Sequence, residues 1–132
     1  MSLLTEGFGS KSYFAPDYIF KDVVLANADT TTSAEFAIGG TLAGLEIVGK
    51  ATTEITVAST QTITYNLVTA DVSGGSFNTT HVMKVIPAGT YASGTELFRY
   101  VPNTECEVWC KVTCVTSADQ SSDKHTVVIE RA

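Results

Sequence analysis

From Tyr18 onward the chain alternates apolar and polar positions in short runs divided by turn-forming residues. "YIFKDVVLA" alternates loosely and gives way to "ANADTTTSA", whose polar residues predict a break between strands. "AEFAIGG" and "LAGLEIVGK" follow, with glycines placed as in bulged or bent strands. The clearest passage is "ATTEITVASTQTITYNLVTAD". There Ile55 and Val57 alternate with Thr56, and Ile63, Tyr65 and Leu67 alternate with Thr64 and Asn66, while "ASTQ" between them predicts a hairpin turn. After the loop "DVSGGSFNTT" come a short strand in "HVMKVIPAGTYASG", a strand "TELFRYVP" closed by Pro102, and two last strands in "ECEVWCKVTCVT" and "HTVVIER". No segment keeps a 3.6-residue period long enough for a helix, and turn signals recur roughly every eight to twelve residues. This spacing predicts an all-β sandwich or barrel of about eight strands.

The pattern divides the chain into an N-terminal arm, residues 1–17, and one β domain, residues 18–132. The arm contains Gly7, Gly9 and Pro16 but also Leu3, Leu4, Phe8, Tyr13 and Phe14. A merely solvated tail has no need of those apolar groups. They are expected to be contact residues that pack on the sandwich or on a neighbouring subunit, the alternative being a disordered terminus.

"TECEVWCKVTCV" holds all three cysteines. On a strand, Cys106, Val108, Cys110, Val112 and Cys114 share one face, with Glu107, Trp109, Lys111 and Thr113 on the other. Residues four apart on a strand are separated by about 13 Å, too far for neighbouring cysteines to share a tetrahedral metal ion or close a disulfide. The cysteines are therefore expected to be small buried hydrophobes of a central strand, in a reducing compartment. Trp109 is expected to be partly exposed on the opposite face, as a partner-binding residue.

Composition narrows the function classes. A 44% share of hydrophobic residues is enough for a real core, and twenty threonines suit pleated strands. A net charge of -6, with eight scattered basic residues, argues against a nucleic-acid partner. No run approaches the roughly 18 apolar residues of a membrane span, and "MSLLTEGFGSKS" lacks the form of a secretory leader, so no membrane association is expected.

Catalytic signals are sparse. His81 and His125 are far apart, each after a polar loop where a solvated imidazole is expected, and no metal-ligand spacing joins them. Nucleophile-elbow, phosphate-loop and dinucleotide motifs are missing, and the acids form no calcium-loop cluster. No catalytic residue, metal site or cofactor is expected, and the chain reads as a binding or structural module rather than an enzyme.

"GLEIVGKATTEITVASTQTITYNLVTADVSGGSF", followed by "VIPAGTYASGTELFRYVPNTECEVWCKVTCVTS", resembles the small capsid cement, or decoration, proteins of tailed bacteriophages. The similarity is one of order and punctuation over roughly residues 42–131: a T-I-T-Y-N-L strand, a Gly-rich loop, an "IPAG" turn, then "GTELFRYVP" leading into a long apolar strand. It implies a jelly-roll-like β-sandwich on the outer surface of the virion capsid, assembled in the bacterial host cytoplasm. It also implies binding between major capsid proteins, stabilisation of the shell against internal pressure, and no catalytic residues. The apolar arm matches no feature of the family.

The leading expectation is a virion structural protein acting as a dimer or trimer. An alternative is a carbohydrate- or receptor-binding module of a phage tail or fibre, with Tyr91, Phe98, Tyr100 and Trp109 as its aromatic platform. A cupin-like enzyme would need both histidines and several acids to converge.

Overall fold

The computed structural model describes residues 18–37, 45–102 and 109–131. They form β1 (Tyr18–Val24), β2 (Thr30–Thr32), β3 (Phe36–Ala37), β4 (Leu45–Ala51), β5 (Ile55–Val57), β6 (Ile63–Ala70), β7 (Thr79–Ile86), β8 (Gly89–Tyr91), β9 (Glu96–Tyr100), β10 (Trp109–Thr116) and β11 (Lys124–Arg131). The fold is all-β, and no helix long and apolar enough to cross a membrane occurs among the described residues.

Two antiparallel sheets make a sandwich. The first has the order β1-β11-β4-β9 and the second the order β2-β10-β6-β7, with β3 also on β10. A small ribbon pairs β5 with β8. β2 and β3 run along β10 in succession, and the gap between them is held by Ser33, whose amide donates to the Val112 carbonyl at 2.9 Å while its hydroxyl accepts from the Val112 amide at 2.9 Å. Counted as one interrupted strand, β2 and β3 bring the principal strands to the eight expected. The pairings are nested: β1 with β11, β2 and β3 with β10, β4 with β9, and β6 with β7.

The alternation read from the sequence sets the core. Ile63, Tyr65 and Leu67 of β6 and Cys110, Val112 and Cys114 of β10 point inward, against Phe20, Ile47, Phe98 and Val127 of the first sheet. The Tyr65 ring meets Phe98 across the gap at 4.7 Å between centroids. Burying side chains of this size contributes about 1.5–3 kcal/mol each relative to exposure, which is why the inward parity of each strand is fixed.

Three expectations are corrected. Thr30–Thr32, inside the predicted polar break, is an edge strand on Thr113–Val115. Its β-branched side chains suit that position although they are polar. "ASTQ" does turn, with the Gln61 amide on the Ala58 carbonyl at 3.0 Å, but β5 and β6 are not a hairpin. β5 joins β8 while β6 joins β7 and β10, because the chain crosses between sheets here. The histidines are not solvated: His125 is fully buried and His81 half-buried, both at inward positions of strands.

At one end of the sandwich the turns are tied together: the Leu25 amide donates to Asp123 at 2.9 Å, Thr116 Oγ1 donates to Ala26 at 3.0 Å, and the buried Gln120 amide donates to Thr56 at 3.0 Å and to Asp123 at 2.7 Å. At the other end lie Tyr18, Ala37, Leu45 and Trp109. The arm residues Leu3, Leu4, Phe8, Tyr13 and Phe14, together with Cys106, lie outside the described residues.

Candidate docking surface

Each sheet has an inner face in the core and an outer face, and the outer faces carry opposite chemistry. On the first sheet Glu46, Val48 and Lys50 of β4 alternate outward beside Thr126, Val128 and Glu130 of β11 and Arg99 of β9. Arg99 is clamped among three carboxylates, Glu46, Glu96 at 2.8 Å and Glu130 at 3.2 Å, and Lys50 reaches Glu130 at 3.7 Å. Glu96 first, then Glu46, hold the guanidinium still further above its ordinary pKa. Under this network Val48 is completely buried although it lies on the outer side. The charged groups are satisfied by one another, and the apolar stem of the Arg99 side chain lies opposite Val48.

The second sheet presents something different. Its outward rungs run Thr30–Val115–Thr64–Val85, then Thr32–Thr113–Asn66–Val82, then Lys111–Val68–Thr80, and end at Ala37–Trp109–Ala70. Lys111 is the one charged side chain in these rungs, and its ammonium stands 4.5 Å from the centroid of the Phe77 ring. Val82 and Val85 are 58% and 47% exposed, among the most exposed large apolar side chains described. Asn66 Nδ2 donates to Thr113 Oγ1 at 3.3 Å, so part of the polar component is already paired within the sheet. A face of valine, threonine and one indole carries little charge to desolvate, which favours contact with another protein surface.

Trp109 is the chain's sole tryptophan and is half-buried at the end of this face, on the side opposite the inward cysteines. The loop beside it is fixed. Glu35 accepts from the Ser73 hydroxyl and from the Gly74 amide at 2.7 Å, bonds that hold its carboxyl below the usual range. Gly74 has φ of 70°, a left-handed conformation that glycine adopts without strain.

The aromatic platform expected for a glycan is not assembled. Phe98 is buried in the core against Tyr65, correcting its reading as an exposed residue. Tyr100 packs against the core from the first sheet, and Tyr91 sits on the small ribbon with its hydroxyl donating to the Pro87 carbonyl at 2.7 Å. Only Trp109 of the four lies on the second sheet.

The buried polar chemistry is elsewhere. Tyr65 Oη lies 2.7 Å from His125 Nδ1 and also hydrogen-bonds with the Cys114 thiol. Burial raises the Tyr65 phenol well above its ordinary value, pushes the Cys114 thiol up to about 12, and lowers His125 to about 4. All three are neutral at physiological pH. A buried thiol in that state is a poor nucleophile, which removes the activated cysteine that the Cys-Tyr-His order brings to mind. No cluster of three or more His, Cys, Asp or Glu side chains suited to a metal ion occurs among the described residues.

Comparison with protein-family models, with curated proteins and with solved structures finds no match to this chain.

Proposed function

We propose that the chain is a capsid decoration protein of tailed-phage type, docking on the outer shell through the outer face of its second sheet. The observation that carries this reading is the contrast between the two outer faces. One face carries the ion network around Arg99, with Tyr18 exposed at its edge, and the other offers Trp109, Val82, Val85 and Val115 around Lys111. The occupant that fits is a folded protein surface with an apolar ridge and a carboxylate to meet Lys111. A nucleic acid would require clustered cations that this acidic chain lacks.

The nested strand pairing supports the finer reading of the fold as a jelly roll, since winding four nested antiparallel pairs into two sheets is how that architecture is built. Repetition on an icosahedral surface lets many modest contacts act together, so a small face is sufficient.

The test is co-sedimentation of the purified chain with mature, emptied capsids of the phage that carries its gene, across a range of salt. Saturable binding at a fixed ratio to the major capsid protein, weakened at least tenfold by Trp109→Ala, is the expected result. Absence of binding at every salt concentration, or binding indifferent to Trp109, overturns the reading.

A further inference from the structure

His125 is fully buried in β11, between the two sheets. Its ring stacks on Phe20 of β1 with centroids 4.9 Å apart and planes 27° apart, and Nδ1 meets the Tyr65 hydroxyl. Nε2 is enclosed with no hydrogen-bond partner among the described residues. The groups that face the ring are Phe20 and Val23 from β1, Ala51 from β4, Tyr65 from β6 and, beyond the hydroxyl, Cys114 from β10. The titratable ones, Tyr65 and Cys114, are both neutral. Asp22, Lys50 and Lys124 are the charged residues nearest in register, and all occupy outward positions.

A second proton would place an N–H at both ring nitrogens and a positive charge among apolar side chains. Among the described residues nothing facing the ring offers a carboxylate or an acceptor for Nε2–H, so the charged ring is accommodated only where water reaches it. β1 is the element able to give way. It is an edge strand, its pairing with β11 is broken by register shifts on both sides of Phe20, and Asp22 within it has φ of 53°, the left-handed region that a non-glycine residue adopts at a cost. β4, on the other side of β11, is paired with it without interruption from Leu45 to Ala51.

We propose that His125 is an acid-operated latch: protonation of its ring releases β1 from the edge of the first sheet while the remaining strands stay paired. The device controls whether Tyr18–Val24, with Phe20 at its centre, is held against the sandwich. It stands on the core geometry and is independent of the docking reading.

Amide hydrogen exchange on the full chain, corrected for intrinsic rates, tests it. With His125 near 4 in the closed state and near its ordinary value of 6.5 when open, linkage makes opening about twentyfold more frequent at about pH 5 than at about pH 7. Peptides covering Tyr18–Val24 should lose protection by that factor while β6 and β10 keep theirs, and His125→Gln should flatten the response. Unchanged β1 protection on acidification, or an equal response in the variant, overturns the proposal. A second measurement needs no variant: by NMR on the native chain, β1 amides and the His125 ring should titrate with one midpoint, and separate midpoints overturn the latch.

Discussion

The hydroxyl of Tyr65 on β6 and Nδ1 of His125 on β11 lie 2.7 Å apart, a buried hydrogen bond that ties one sheet of the sandwich to the other. Tyr65→Phe removes the hydroxyl and leaves the imidazole nitrogen and the Cys114 thiol without it. Such an unsatisfied buried group costs about 1–3 kcal/mol, so the variant should unfold at lower urea with an unchanged slope.

Stability should fall on acidification before the carboxylates matter. His125 is lowered from 6.5 to about 4 by burial, so the unfolded chain binds the extra proton first. The stabilisation held by the neutral ring is complete above about pH 6.5 and is lost as pH falls toward about 4, up to about 3 kcal/mol in all. Glu35 and Asp119 are held below their ordinary values of 4.5 and 3.8 by bonds from Ser73 and Ser121, so their loss comes only at lower pH. Urea midpoints measured across this range, with His125→Gln as the flattened control, check the window.

Gly49 should not tolerate alanine. A Cβ there would collide with the Phe98 ring, approaching Cδ1 at 2.6 Å, and that ring is pinned in the core by Tyr65. Gly49→Ala should therefore cost about 1–3 kcal/mol as an overpacking substitution, read from the thermal midpoint.

Cys110 and Cys114 should resist alkylation in the native protein. Both are essentially inaccessible, and burial holds the Cys114 thiol at about 12, leaving almost no thiolate. Mass-spectrometric mapping after iodoacetamide should show both unmodified in buffer and modified in guanidinium chloride.

Val82→Glu should separate folding from docking. Val82 is 58% exposed on the second sheet, so the substitution should change stability by no more than about 0.5 kcal/mol. A charge on the edge strand of the docking face should nonetheless weaken capsid binding at least tenfold, whereas Thr126→Ser on the opposite face should leave it intact.

The strands that the sequence made legible are those whose alternation is uninterrupted. β6 and β10 could be read directly, because Ile63, Tyr65, Leu67, Cys110, Val112 and Cys114 are inward and apolar while Thr64, Asn66, Lys111 and Thr113 are not. The same parity gave the outward placement of Trp109. β2 was hidden because Thr30–Thr32 is polar, and its strand state comes from pairing with β10. His125 was misread as solvated because it follows a polar loop, although its parity with the inward Val127 was the available signal. Phe98 was placed in a surface platform, yet it lies opposite Gly49 with its ring in the core, and the charge of its neighbour Arg99 belongs to the outer face. The contrast between the two outer faces was beyond sequence reading, because it depends on which distant strands are neighbours.

β1 pairs with β11, and β11 also lies between β1 and β4. The first strand of the described chain therefore has nowhere to dock until the last eight-residue strand has been synthesised. During translation Phe20 waits without its partners His125 and Val127, and closure of the first sheet is a late, long-range event of the kind that makes folding slow. A nonsense codon before Lys124 would remove an interior member of that sheet rather than trim its edge, leaving β1 and β4 with no strand to join them.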